Sequence, residues 1–560
     1  MTFVEDYPKE ARIVRWSFAV AFVALGIGGL FGLIQSLHRT GVFRGFVSST
    51  DYYTVLTGHG VLLVLVFTTF FIAGLFTWAV TRSLDRNLSY GVALTWFSTM
   101  LLGTIMATVA ILAGLVPNSG ISADVLFTFY APLQAHPIFY IGAVFIIVGS
   151  WIAGYNYFQA YWGWRKENQG ERIPLQTFMV LMTFLMWYLS SIGVAVEVLA
   201  FLIPWSLGLI QTVDPLLTRT LFWYFGHPVV YFWLLPAYVI WYTVLPKLSG
   251  GRLLSDPLAR VVFVLFLLLS TPTGFHHQYV DPGIPEGFKF IAMTNTMFLL
   301  LPSLLTAFTV VASMEHGARQ RGGEGRLNWL RSLPWDDPAF VGISLAGLMF
   351  AAGGFSGMVN AGMNLNYLIH NTIWVPGHFH LTVGTAFALT AMAVTYWLFP
   401  QITGKRLRFR GLALVQPYLW FIGMTLMSNA MHRGGLAGLP RRTAEPLYQD
   451  TGAALFTPVI GTIAEMQFQI AIGGTLLFIS LLLFLIVVGA TWLSARGGTL
   501  AVDGHIPTPL SGAENGPLIL DNLKVWTVIA ILLVALTYFL PLWGMLADGI
   551  LAPGSPVFPV

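Results

Sequence analysis

Thirteen apolar stretches, each long enough to cross a bilayer, occupy most of this chain, at 16–37, 55–80, 91–116, 136–160, 177–205, 221–246, 261–278, 288–314, 338–358, 373–400, 412–432, 458–492 and 522–548. A helix needs about 20 apolar residues for that crossing. The interior of a bilayer offers no water to free backbone groups, so runs of this length fold as helices. The expected architecture is therefore all-α, a polytopic transmembrane bundle of about 13 spans forming one membrane-embedded domain over residues 1–560.

Composition agrees, since only 9% of the residues are charged, against roughly 25% in an average soluble domain. A net charge of +4 is spread too thinly for a nucleic-acid stripe. It reads instead as topology. With the N-terminus inside, 21 Lys and Arg fall on the inner side and seven on the outer, as the positive-inside rule requires. An odd number of spans then puts the C-terminus outside. Met1 to Trp16 lead into a full-length span without a cleavage pattern, so no removed signal peptide is expected. No cysteine is present, so a metal held within this chain relies on His, Met or oxygen ligands.

Six of the twelve histidines lie inside predicted spans: His59, His227, His276, His277, His378 and His380. One buried histidine is commonly a packing residue, but an ionisable group inside a membrane is by default a functional candidate. Following helix directions through the topology puts all six at one depth, in the outer part of the membrane. His276 and His277 are expected to close their helix. His378 and His380, two residues apart, point nearly opposite ways on a helix and so present one imidazole to each of two cofactors; imidazole is a common axial ligand of heme iron. His59, between Gly58 and Gly60, completes a bis-histidine site, with glycines that let a flat macrocycle approach. His227, His276 and His277 form a second set of a kind suited to copper or zinc. Tyr231, four residues after His227, shares its helical face.

With Gly226-His227-Pro228 through Tyr231, His276-His277, His378-Phe379-His380 and upstream His59, nearly the whole chain resembles the catalytic subunit I of the heme-copper oxygen reductases. The resemblance implies a cytochrome c oxidase reducing dioxygen to water, with proton uptake and pumping. His59 and His380 would ligate a low-spin heme of b type, His378 a high-spin heme of A or O type, and His227, His276 and His277 the copper CuB. The axial residues themselves do not distinguish heme types. Tyr231 would be bonded covalently to His227 and supply an electron and a proton.

Val229 stands where the A family of these enzymes has a glutamate, which with the extra C-terminal span points to the B family. That family's single proton path matches Ser255, Tyr242, Tyr238, Ser303, Thr306 and Tyr231. Independently, Tyr231, Tyr238 and Tyr242 recur on one helical face and Ser303 and Thr306 on another, although buried hydroxyls also bond simply to backbone. Arg441 and Arg442 match the pair that holds heme propionates. His370 and Asn366 fall in the region above the propionates, with asparagine where a B-family relative has aspartate. Glu197, a carboxylate inside a span, receives no role, nor do the abundant Met and aromatic residues.

The resemblance further implies a partner subunit II carrying a cysteine-ligated dinuclear copper centre, a cytochrome c or small copper protein as donor, and the prokaryotic plasma membrane as location. Two other readings share some of these features. Nitric oxide reductase has the same scaffold without a tyrosine matching Tyr231, and a transporter using its histidines as proton relays would bind no heme.

Overall fold

The computed structural model describes residues 2–43, 45–444, 462–495 and 504–547. Among them, twelve helices are long and apolar enough to cross a membrane. In chain order they are α1 (Pro8–His38), α2 (Ser49–Leu84), α3 (Tyr90–Ala113), α4 (Pro137–Glu167), α5 (Leu175–Ser206) and α6 (Pro215–Leu248). Beyond one shorter helix, α7 (Asp256–Ser270), follow α8 (Glu286–Gln320), α9 (Pro338–Ala361), α10 (Trp374–Thr403), α11 (Arg410–Leu436), α12 (Ile463–Leu493) and α13 (Leu523–Ala547).

The remaining expected span is α7, Asp256–Ser270, only 15 residues long. It stops short because Pro272 follows, and proline withholds a backbone donor and clashes with the preceding turn. The chain then tightens into a 3-10 turn, Gly274–Gln278. His276 and His277 thus lie on a separate turn beyond a break, where the apolar pattern predicts the end of one continuous helix.

Burial sorts the helices into layers. The most apolar windows of α6 and α10 are both 89% buried and that of α2 is 78% buried, whereas α13 is 28% and α8 33% buried. The histidine-bearing α2, α6 and α10 are therefore central, and lipid-facing apolar residues accumulate on the outer helices. Close helix approach rests on small residues, as in membrane bundles generally. At the α3–α4 crossing, a Cβ on Gly103 would stand 2.4 Å from the Gly142 carbonyl oxygen, and one on Gly142 would stand 2.7 Å from that of Gly103.

Three helices widen into π turns: Leu62–Phe67 in α2, Glu197–Leu202 in α5 and Thr382–Phe387 in α10. Such turns are rare and concentrate at functional sites. Two of the three begin within three residues of a histidine, after His59 and after His380.

Candidate metal centre

One cavity of about 510 Å³ joins all six intramembrane histidines, with Tyr231, Arg441 and Arg442 also in its wall. His59 and His380 face each other across part of it, ring centroids 6.2 Å apart and planes 21° apart. With metal–imidazole bonds of about 2.0 Å and ring centres about 1.1 Å behind the ligating nitrogens, two rings on one ion stand about 6.2 Å apart. Their outer nitrogens are fixed by backbone: His59 Nδ1 donates to the Gly28 carbonyl at 2.8 Å and His380 Nδ1 to that of Pro376 at 2.7 Å. Each ring is thereby held in the tautomer whose Nε2 carries a free lone pair.

His378 points elsewhere. Its Nδ1 lies 3.0 Å from the Gly353 carbonyl and 3.0 Å from Ser356 Oγ, both on α9, again leaving Nε2 as the acceptor. The two-residue offset from His380 therefore does separate the rings, as helical geometry requires.

Glycines make the room, though at other positions than the flanks of His59 suggest. A Cβ on Gly58 would strike the Phe31 ring at 2.5 Å and one on Gly60 the Phe127 side chain at 2.6 Å, so both serve packing between elements. The glycines that admit the ligand rings are Gly32 on α1 and Gly357 on α9. A Cβ on Gly32 would stand 2.8 Å from His59 Cε1, and one on Gly357 2.8 Å from His378 Cε1.

The second histidine set converges on a point. One ring nitrogen from each of His227, His276 and His277 lies within 4.8 Å of the others. His276 Nε2 is 2.9 Å and His227 Nδ1 3.3 Å from His277 Nε2; three nitrogens about 2.0 Å from one ion would lie about 3.3–3.5 Å apart. Thr296 Oγ1 donates to the Ala292 carbonyl at 2.6 Å and so accepts from His276 Nδ1 at 2.7 Å, which turns the His276 Nε2 lone pair inward. Trp223 stacks on His277 at 3.7 Å between centroids and 9° between planes. His227 spends Nδ1 on this cluster; its Nε2 is buried without a hydrogen-bond partner, and the Tyr231 ring lies 5.0 Å away, centre to centre.

The turn bearing His276 and His277 is anchored from both sides. The Gly274 amide donates to Tyr538 Oη on α13 at 2.8 Å. On the other side Gln278 donates to Thr220 Oγ1 at 3.1 Å and to Asp281 at 3.2 Å, while Asp281 pairs with Arg219 at 2.8 Å.

At the loop end of the cavity the charges are mostly cationic. Arg441 bonds Asn371 Oδ1 at 3.0 Å, Arg442 and Arg219 lie over the Tyr130 ring at 5.7 and 4.7 Å, and Arg39 reaches the Pro440 carbonyl at 3.1 Å. All four arginines are in the wall, with Asp281 as the lone carboxylate among the described wall residues. Arg441 Nε is buried without a partner. Burial first, and the neighbouring Arg442 second, push the Arg441 guanidinium down to about 9. His370, whose Nδ1 faces Asn366 Oδ1 at 3.1 Å, is driven down to about 4 by burial and by Arg441. Arg39, Arg219, Thr296 and Trp223 carry no motif that singles them out in sequence.

The residues therefore suit two flat anionic macrocycles and one three-histidine metal, on the chemistry of their donors and the room beside them. Comparison with known proteins agrees. Residues 12–476 match the family model described as cytochrome c and quinol oxidase polypeptide I. The chain is 42% identical to cytochrome c oxidase subunit 1 of Thermus thermophilus over 95% of this chain and 94% of that one. It is 24% identical to an alternative cytochrome c oxidase subunit 1 of Bradyrhizobium diazoefficiens over 81% of this chain and 77% of that one. A cryo-EM structure of a heme-copper terminal oxidase dimer superposes with a TM-score of 0.89 at 37% identity, covering 98% of this chain and 96% of that one. The chain belongs to the cytochrome c and quinol oxidase polypeptide I family, the heme- and copper-binding catalytic subunits of terminal oxidases.

Proposed function

We propose that this subunit reduces dioxygen to water with His59 and His380 on a low-spin heme, His378 on a high-spin heme and His227, His276 and His277 on copper. The observation that carries this assignment is the tautomer pattern: in all three proposed heme ligands Nδ1 is bonded outward, leaving Nε2 for iron. When bound, the hemes and copper supply the electron transfer and the oxygen-binding metals. Arg441 and Arg442, with Arg39 and Arg219, would neutralise propionates by charge-assisted hydrogen bonds.

Tyr231, its ring 5.0 Å from that of His227, would give a proton and an electron at the copper site. A bond from Tyr231 to His227 Nε2 would explain why that nitrogen has no hydrogen-bond partner. Forming it removes two hydrogens with their electrons, which dioxygen at the same site accepts.

Protons would reach Tyr231 along α6 and α8. Ser303, like Tyr231, lines the cavity. Tyr238 donates to Ser303 at 3.3 Å, and Tyr242 lies 2.6 Å from Thr306 Oγ1. Ser255, buried beyond them, caps α7 through the Leu258 amide at 3.3 Å, so its hydroxyl sits at the end of the path with a structural duty as well. The charge asymmetry of the loops supports an N-terminus inside and a C-terminus outside, and hence uptake from the cytoplasm of a prokaryotic cell through its plasma membrane.

The chain acts as a single membrane-embedded domain. Lacking cysteine, it takes electrons through a subunit II with a thiolate-ligated dinuclear copper, fed by cytochrome c or a small copper protein. The test is Tyr231→Phe in the purified complex. Both hemes and copper should remain at wild-type content by optical spectra and metal analysis, while oxygen consumption drops by a hundredfold or more, about the lower bound for losing a positioned proton donor. Normal turnover would remove Tyr231 from the chemistry, and iron without copper would instead indicate a nitric oxide reductase.

A further inference from the structure

A second depression lies on the lipid-facing side, far from the cavity in composition, between α4 and α5. Along α4 its wall is Trp151, Tyr155, Phe158 and Trp162, spaced four, three and four residues apart, and Lys166 follows four residues later. At about 100° per residue these five fall within an arc of roughly 80°, so one stripe of α4 is aromatic for three turns and ends on a cation. Tyr188 closes the groove from α5. Trp162 is 50% and Tyr155 48% exposed.

The groove is preformed. A Cβ on Gly154 would stand 2.4 Å from both Phe184 Cδ1 and Tyr188 Oη, so glycine there lets the helices close. Tyr188 Oη can then donate to the Trp151 carbonyl at 2.7 Å, and Trp151 Nε1 donates to Ser191 Oγ at 2.7 Å. These polar atoms are satisfied inward and the groove presents ring faces.

Charges at its end are sorted as well. Glu167 pairs with Arg86 at 2.7 Å, Asp521 with Arg172 at 2.5 Å, and Arg165 turns back to the Glu171 carbonyl. Lys166 is exposed and in no ion pair among the described residues. A long basic side chain at a helix end extends to the headgroup layer, where it attracts anionic lipid.

We propose that this groove is a binding site for one anionic phospholipid, an acyl chain lying along the aromatic stripe and the phosphate on Lys166. The occupant must be apolar over three turns because the groove offers it ring faces, and anionic at one end because the cation there is unmatched.

The test is native mass spectrometry of the delipidated, purified oxidase complex titrated with phosphatidylglycerol or phosphatidylcholine, with heme spectra confirming that each variant is folded. The wild type should hold its tightest phosphatidylglycerol about fivefold more strongly than phosphatidylcholine, the worth of roughly one basic residue at the membrane surface. Lys166→Gln should abolish that preference and leave phosphatidylcholine binding unchanged. Tyr155→Ala with Trp162→Ala should weaken both lipids. Equal binding of the two lipids by the wild type, a preference that survives Lys166→Gln, or undiminished binding by the double variant would each overturn the proposal, as would a neutral isoprenoid displacing phosphatidylglycerol.

Discussion

Tyr538, on the C-terminal span, accepts a hydrogen bond from the Gly274 amide at 2.8 Å, two residues before the first of the paired histidines. A peripheral helix thus holds the backbone of the central turn that carries His276 and His277. The Tyr538 ring also packs on Phe275 at 4.8 Å between centroids, and a Cβ on Gly274 would collide with its hydroxyl at 2.3 Å. The contact leaves no space for another side chain.

Tyr538→Phe should therefore keep the packing and lose the bond, at about 1 kcal/mol. The expected outcome is faster loss of copper to a chelator with heme content unchanged. Equal copper release from variant and wild type would show that packing alone sets the turn.

Thr296→Val removes the acceptor that fixes the His276 tautomer. Outer-shell partners of this kind are worth about 10–100-fold in metal affinity. Copper titration of the variant should show a loss of that order, with heme spectra intact, and Thr296→Ser should restore most of it.

Gly32→Ala would place a methyl group 2.8 Å from the His59 ring. Since His59 Nδ1 is tethered to Gly28 on the same helix, the imidazole has little freedom to retreat. The low-spin heme absorption should shift or diminish while copper stays at full occupancy; an unaltered low-spin spectrum would count against His59 as its ligand.

Tyr242→Phe deletes the partner of Thr306 without touching the histidine cluster. Turnover should fall, and single-turnover kinetics should show proton uptake slowed more than heme reduction. Unimpaired uptake would place the route elsewhere.

Much of this arrangement was legible in the sequence because lipid is a severe solvent. Spans must be continuous and apolar, and a histidine placed among them needs a reason, so His59, His227, His276, His277, His378 and His380 stand out. Helical geometry alone separates His378 from His380. Other features depend on contacts between segments distant in sequence. Gly32 serves His59 from another helix, whereas the glycines adjoining His59 serve Phe31 and Phe127. Thr296 reads as any threonine in an apolar run until α8 brings it to His276. The π turns after His59 and His380 have no residue signature, and the break at Thr271-Pro272-Thr273-Gly274 is outweighed, over a span-length window, by the strongly apolar run from Val261 to Leu269 that precedes it. Arg39 and Arg219 converge with Arg441 and Arg442 only once the loops fold over the cavity.

The bond from Gly274 to Tyr538 also bears on biogenesis. Translation and insertion run from the N-terminus, so every proposed metal ligand is already in the bilayer while α13 is still to be made. Until α13 docks, the turn bearing His276 and His277 lacks one of its two anchors. On the proposed copper assignment, a stable site is expected to load late in assembly, after α13 has been inserted, and a chain truncated before α13 should accumulate with its histidines present and its copper site loose.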